Sequence, residues 1–163
     1  KSMSDRVTHP IPPIYNKESK TLILGSFPSV KSREGEFFYH HPQNRFWKVI
    51  SALFHEPLPG SIEDKKQLLL RNNIALWDVI ESCEIVGSSD SSIRNVVPND
   101  ISRILNTADI QRIVANGGTA YRLYMKYIFP KSNRKIVKLP STSPANAAFS
   151  LERLTEEWSY ILR

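Results

Sequence analysis

The sequence predicts an α/β fold, a parallel sheet with helices on both faces. Three observations point there. From Lys20 onward, apolar β-type runs alternate with stretches of helical periodicity, the pattern of a sheet built from β-α units. Two of these runs, Leu22-Ile23-Leu24-Gly25-Ser26-Phe27-Pro28 and Val137-Lys138-Leu139-Pro140-Ser141-Thr142-Ser143-Pro144-Ala145-Asn146, stop in turns rich in Gly, Pro and Ser. In an open parallel sheet such turns lie at the carboxyl ends of strands, where ligands bind. At 163 residues, 40% of them hydrophobic, the chain is one ordinary domain, long enough to bury roughly 68–70% of its unfolded surface.

Taken in order, the first 19 residues contain Pro10, Pro12 and Pro13 and read as an extended arm laid on a single domain spanning 20–163. Strands are predicted at 21–25, 74–80, 111–115 and 135–139. Phe46, Val49, Ile50, Leu53 and Phe54 recur at the spacing of one helix face. A helix is predicted over 62–71, where Ser61 can cap. Others follow at 100–106 and 119–128, and the last, over 150–162, carries Leu151, Leu154, Trp158, Ile161 and Leu162 on one stripe. Two long segments, 26–43 and 81–97, read as loops of a length that compact domains keep for function or mobility. The first holds Phe37, Phe38 and Tyr39, suited either to stacking on nucleic-acid bases or to packing over the core.

A net charge of +6 and a pI near 9.5 favour an anionic partner. Lys131, Arg134, Lys135 and Lys138 precede the second turn, and Lys31, Arg33, Arg45 and Lys48 surround the first. A solvated surface is the alternative reading of the same charges. No apolar run approaches the ~18 residues of a membrane span, and Lys1-Ser2-Met3-Ser4 has no apolar stretch of the signal-peptide kind. The single cysteine, Cys83, excludes an internal disulfide and fits a reducing cytoplasm.

The familiar hydrolase and transferase motifs are missing: no phosphate loop, no GxGxxG after a strand, no GxSxG elbow. His40 and His41 are adjacent and cannot both easily face one ion, and His9 and His55 lack partners at ligand spacing, so no metal and no cofactor are expected. What remains are amides, hydroxyls and backbone donors at strand ends. Such groups suffice to cut an N-glycosidic bond, because they can receive charge on the departing base and place one water near the sugar carbon.

The two turns resemble the active-site motifs of the uracil-DNA glycosylase superfamily, and the likeness runs from about Lys20 to the C-terminus. Gly25-Ser26-Phe27-Pro28 corresponds to the first motif, with Phe27 where a polar Asn or Asp is common. Tyr39-His40-His41-Pro42-Gln43-Asn44-Arg45-Phe46-Trp47 resembles the mismatch-specific and hypoxanthine-DNA glycosylase branches. In the latter an asparagine takes over catalysis, which implies Asn44 as the catalytic residue; a helix N-cap is its other reading. Tyr39 falls where the mismatch branch stacks an aromatic on the flipped base. Ser141-Thr142-Ser143-Pro144-Ala145-Asn146 resembles the second motif, which implies contacts to DNA phosphates, joined by Lys138. Asp78 stands near a base-reading position, and Ser26 and Phe27 offer backbone amides to the base.

The resemblance implies a three-layer α/β/α fold with a central, mainly parallel sheet of about four strands. It also implies a monofunctional glycosylase that removes deaminated bases from double-stranded DNA, hypoxanthine first. Uracil or xanthine as substrate, or a DNA-binding module without catalysis, are the alternatives. No obligate protein partner and no membrane are expected.

Overall fold

The computed structural model describes residues 5–163; the reading of Lys1–Ser4 lies outside them. Its centre is a four-stranded sheet in the order β3-β2-β6-β7, with every neighbouring pair parallel. The strands are β2 (Thr21–Gly25), β3 (Ile74–Asp78), β6 (Arg112–Asn116) and β7 (Val137–Leu139). All residues of β2 and β3 are buried, so these strands read as continuous apolar runs rather than alternating ones, as sheets covered on both faces do. Helices α2 (Phe46–Leu53), α3 (Ile62–Arg71), α5 (Gly118–Tyr127) and α7 (Leu151–Trp158) flank them, with two short helices, α4 (Ser102–Leu105) and α6 (Phe129–Ser132), in the connections. Ser61 caps α3 by accepting from the Asp64 amide, and Ser150 caps α7 from Arg153.

Neither of the two segments read as loops is structureless. Within 26–43 lies the short helix α1 (Val30–Gly35), capped by Ser29. The stretch 81–97 forms most of two strands, β4 (Ile80–Ile85) and β5 (Arg94–Pro98), which join β1 (Asp5–Thr8) from the N-terminal arm in an antiparallel sheet of order β1-β4-β5. The run from 74 to 80 is therefore two strands in two sheets. The corner sits at Val79, whose carbonyl accepts from the Asn99 amide, while Asn99 Nδ2 donates to the carbonyls of Asp78 and Ile80. No local pattern marks that corner, because the apolar run continues straight through it. The first proline-rich residues supply β1, and beyond it Ile11 and Ile14 are buried, with Ile14 bridging Leu76. No helix among the described residues is long and apolar enough to cross a membrane.

The sheet order places a reversal at β2: the chain goes from β2 to β3 on one side, then to β6 on the other. A crevice opens at the carboxyl ends of strands where order reverses in this way.

Candidate active site

All four parallel strands deliver a residue into one cleft of about 500 Å³: Gly25 ends β2, Asp78 ends β3, Asn116 ends β6, and Ser141 follows β7. Of the residues predicted from sequence, Ser26, Phe27, Tyr39, Asn44, Asp78, Ser141, Thr142, Ser143, Pro144 and Ala145 line it. Lys138 is exposed on β7 outside the cleft. Asn146 also lies outside it, donating from Nδ2 to the Ser141 carbonyl at 3.0 Å; it shapes the turn.

Asn44 sits just before α2, half-buried. Its Oδ1 accepts the Phe46 amide at 2.9 Å and the Thr142 hydroxyl at 2.8 Å. The direction of each bond is forced. A backbone N–H can only donate, so the atom facing Phe46 must be the oxygen. Likewise the Thr142 amide, at 3.0 Å, fixes Asn116 Oδ1, and Asn116 Nδ2 then donates to Thr142 Oγ1 at 3.0 Å. With that donor received, the Thr142 hydroxyl gives its proton to Asn44. Both acceptor positions of Asn44 Oδ1 are thus occupied, and its Nδ2 is left as a donor with no partner among the described residues. Arg45 is the N-cap position of α2, and Asn44, one residue earlier, holds the first helical amide while lining the cleft.

The expectation that Thr142 contacts DNA is corrected by this network. Thr142 forms part of the cleft lining but is fully buried, and its amide and hydroxyl are engaged by Asn116 and Asn44, so it holds those two side chains rather than offering a group to DNA. Asn116, at the end of β6, has its side-chain amide tied to the same threonine. Arg45 is equally internal: its guanidinium donates to the carbonyls of Ser143, Asn146 and Phe149 and holds the second turn against α2. Of the basic residues near the turns, Lys31, Lys48, Lys131, Lys135 and Lys138 are exposed.

Phe37 and Phe38 pack in the core at 3% and 2% exposure, which decides between their two readings. Tyr39 differs. It lines the cleft with its ring stacked on Phe46 at 4.3 Å, and its backbone is held at φ +51°, a region that costs a non-glycine residue strain. Its Oη is buried without a hydrogen-bond partner. Burial first, and then the Asp78 charge, push the Tyr39 phenol well above its ordinary range; the nearby Asn116 side chain lowers it only in part and does not reach hydrogen-bond geometry with Oη.

Asp78 is buried at the cleft floor. Gly25 is required beside it: a Cβ there would run into Asp78 Oδ1 and come within 2.8 Å of Tyr39 Oη. Sequence reasoning set His9 aside, yet its Nε2 meets Asp78 Oδ2 at 2.7 Å, and the two side chains are 3% and 4% exposed. The two residues are 69 positions apart, and no local spacing announces the contact. Asp90 was also missed. It reaches the rim of the cleft from the serine-rich stretch Ser88-Ser89-Asp90-Ser91-Ser92, with Ser26 Oγ 3.5 Å from its Oδ1. Desolvation at the rim raises the Asp90 carboxyl, against hydrogen bonds from Thr119 and Ser26 that lower it. Phe27, 9% exposed, lies edge-on to the His9 ring at 5.9 Å.

A parallel sheet with a cleft at its strand ends, lined by two Ser/Pro turns, a side-chain amide and a buried carboxylate, is the architecture of a known class. The family model of the uracil DNA glycosylase superfamily matches residues 12–161. The chain belongs to that superfamily. Among individual proteins, it is 32% identical over 153 residues to a hypoxanthine DNA glycosylase of Methanosarcina acetivorans, covering 93% of this chain and 96% of the relative. A second hypoxanthine DNA glycosylase, from Methanosarcina barkeri, is 31% identical over 108 residues, 66% of this chain and 68% of its own length. A solution NMR structure from Methanosarcina acetivorans, provisionally assigned as a uracil DNA glycosylase, superposes with a TM-score of 0.78 at 28% identity, covering 94% of this chain and 97% of that one.

Proposed function

We propose that this protein is a monofunctional DNA glycosylase that releases hypoxanthine from double-stranded DNA and acts in the cytoplasm. The observation that carries the reading is the free amide donor of Asn44 in a cleft that also presents the Asp78 carboxylate. Flipping the deoxyinosine nucleotide out of the duplex costs a few kcal/mol and brings the base into the cleft. Tyr39, held against Phe46, offers a rigid face for stacking. Asp78 only accepts, which suits the N1–H of hypoxanthine.

In the reaction the C1′–N9 bond breaks and its electron pair leaves with the base. Water supplies hydroxide to C1′ and its proton goes to the departing ring. With Oδ1 occupied, Asn44 acts as a donor to the leaving base rather than as an acceptor that orients water. A preorganised donor of this kind is worth about 2.7–4 kcal/mol, by analogy with oxyanion-hole groups. Ser26 and Phe27 line the same cleft, and in this reading their backbone amides serve the base. In this reading Ser141, Ser143, Pro144 and Ala145 contact the DNA strand and exposed Lys138 a phosphate. No lysine is assigned as a nucleophile, so strand nicking is not expected.

The test uses duplexes carrying hypoxanthine, uracil or xanthine, treated with alkali after incubation with wild type or Asn44→Ala. Hypoxanthine release that falls at least about 100-fold in the variant supports both substrate and residue. Tight binding to the hypoxanthine duplex without release would instead identify a DNA-binding module.

A further inference from the structure

The His9–Asp78 contact fixes more than a packing position. His9 Nδ1 accepts the Ile11 amide at 3.2 Å. An amide N–H cannot accept, so Nδ1 carries the lone pair and the ring proton sits on Nε2, 2.7 Å from Asp78 Oδ2. The ring is held from its other sides by Phe27, edge-on at 5.9 Å, and Phe38, tilted at 6.0 Å. Its backbone is held too, the His9 amide donating to the Glu81 carbonyl at 2.6 Å. Asp78 therefore faces a donor whose direction is locked by the arm, and its other oxygen, Oδ1, lies by Gly25 on the cleft side.

We infer that His9 is a positioning residue: it locks Asp78 as a pure acceptor, with Oδ1 aimed to take the ring N–H of the bound base. The inference rests on the reading of Asp78 as a base-contacting group. A base with N–H at that edge, such as hypoxanthine, gains a bond to a charged acceptor. Adenine, whose N1 bears a lone pair there, meets acceptor with acceptor. The N-terminal arm thereby takes part in substrate choice, although it lies outside the two sequence motifs.

The experiment measures single-turnover release of hypoxanthine by full-length wild type, His9→Gln, His9→Asn and His9→Phe, with thermal melts of each. Glutamine places an amide donor near the position of Nε2. Asparagine reproduces only the Nδ1 side, and phenylalanine keeps the ring packing without any donor. His9→Gln is expected to stay within about threefold of wild type, while His9→Asn and His9→Phe lose about 10- to 100-fold, the range of one hydrogen bond to a charged group. In an Asp78→Asn background, His9→Asn should add less than about threefold, since the two act as one unit. Equal losses in all three variants, a full additional loss in the Asp78→Asn background, or no loss at all would overturn the role of His9. Absence of hypoxanthine release by the wild type would overturn the functional reading itself, a separate and visible outcome.

Discussion

Thr142 and Asn44, 98 positions apart, are joined by a 2.8 Å hydrogen bond in which the threonine donates and the asparagine oxygen accepts. This bond connects the second Ser/Pro turn to the start of α2 and continues through Asn116 to the end of β6. It leaves Asn44 with a single function to offer the cleft, an N–H donor.

Thr142→Val keeps the shape of the side chain and removes the hydroxyl. Asn44 Oδ1 then loses one partner and Asn116 Nδ2 loses its acceptor. Because Thr142 is fully buried and both amides are half-buried, stability is expected to fall by about 1–3 kcal/mol. Hypoxanthine release should fall by about tenfold or more as the Asn44 amide loses its fixed plane. Urea unfolding and single-turnover release, run on the same preparation, check both.

The Tyr39 hydroxyl is buried without a hydrogen-bond partner, on a residue with positive φ. Removing it should relieve a desolvation cost that the folded state bears. Tyr39→Phe is expected to raise stability by about 1 kcal/mol. It should also slow base release if the bound base supplies the missing partner, a trade common at functional sites. The paired readout is the melting temperature against the excision rate.

Asp90 gives a pH signature. Its carboxyl is raised in the folded protein, chiefly by desolvation at the cleft rim. A raised carboxyl holds its proton more firmly when folded than when unfolded. Its stabilising contribution is complete below the ordinary aspartate value and is lost as pH rises through the raised one. Asp90→Asn should therefore melt higher than wild type at neutral pH and match it in acid below that window. Because Asp90 is exposed at the residue level, solvent screening keeps the difference within about 1 kcal/mol. Thermal melts across the acid range decide the sign.

The parallel sheet was legible because β2 and β6 are short apolar runs bounded by turns, and the helix over Ile62–Arg71 because Ser61 precedes it as a cap. The antiparallel sheet was not. Its strand β4 begins two residues after β3 ends, with no break in hydrophobicity, and its corner is set by Asn99, about twenty positions away. The same physics hid His9. Its partner lies in a different element, and contacts between distant positions leave no periodicity behind. Thr142 was visible as part of a motif, yet its burial was not, since neighbours in one turn can face opposite ways.

In the proposed mechanism Asn44 acts through its amide N–H. Asn44→Asp separates that role from its hold on the first helical amide most directly. Aspartate caps helices as well as asparagine, and it keeps acceptors for the Phe46 amide and the Thr142 hydroxyl while losing the donor. Hypoxanthine release by Asn44→Asp should drop by about 100-fold or more while the melting temperature holds or rises. Release retained or increased in this variant would contradict the account, showing that the residue serves the water as an acceptor instead.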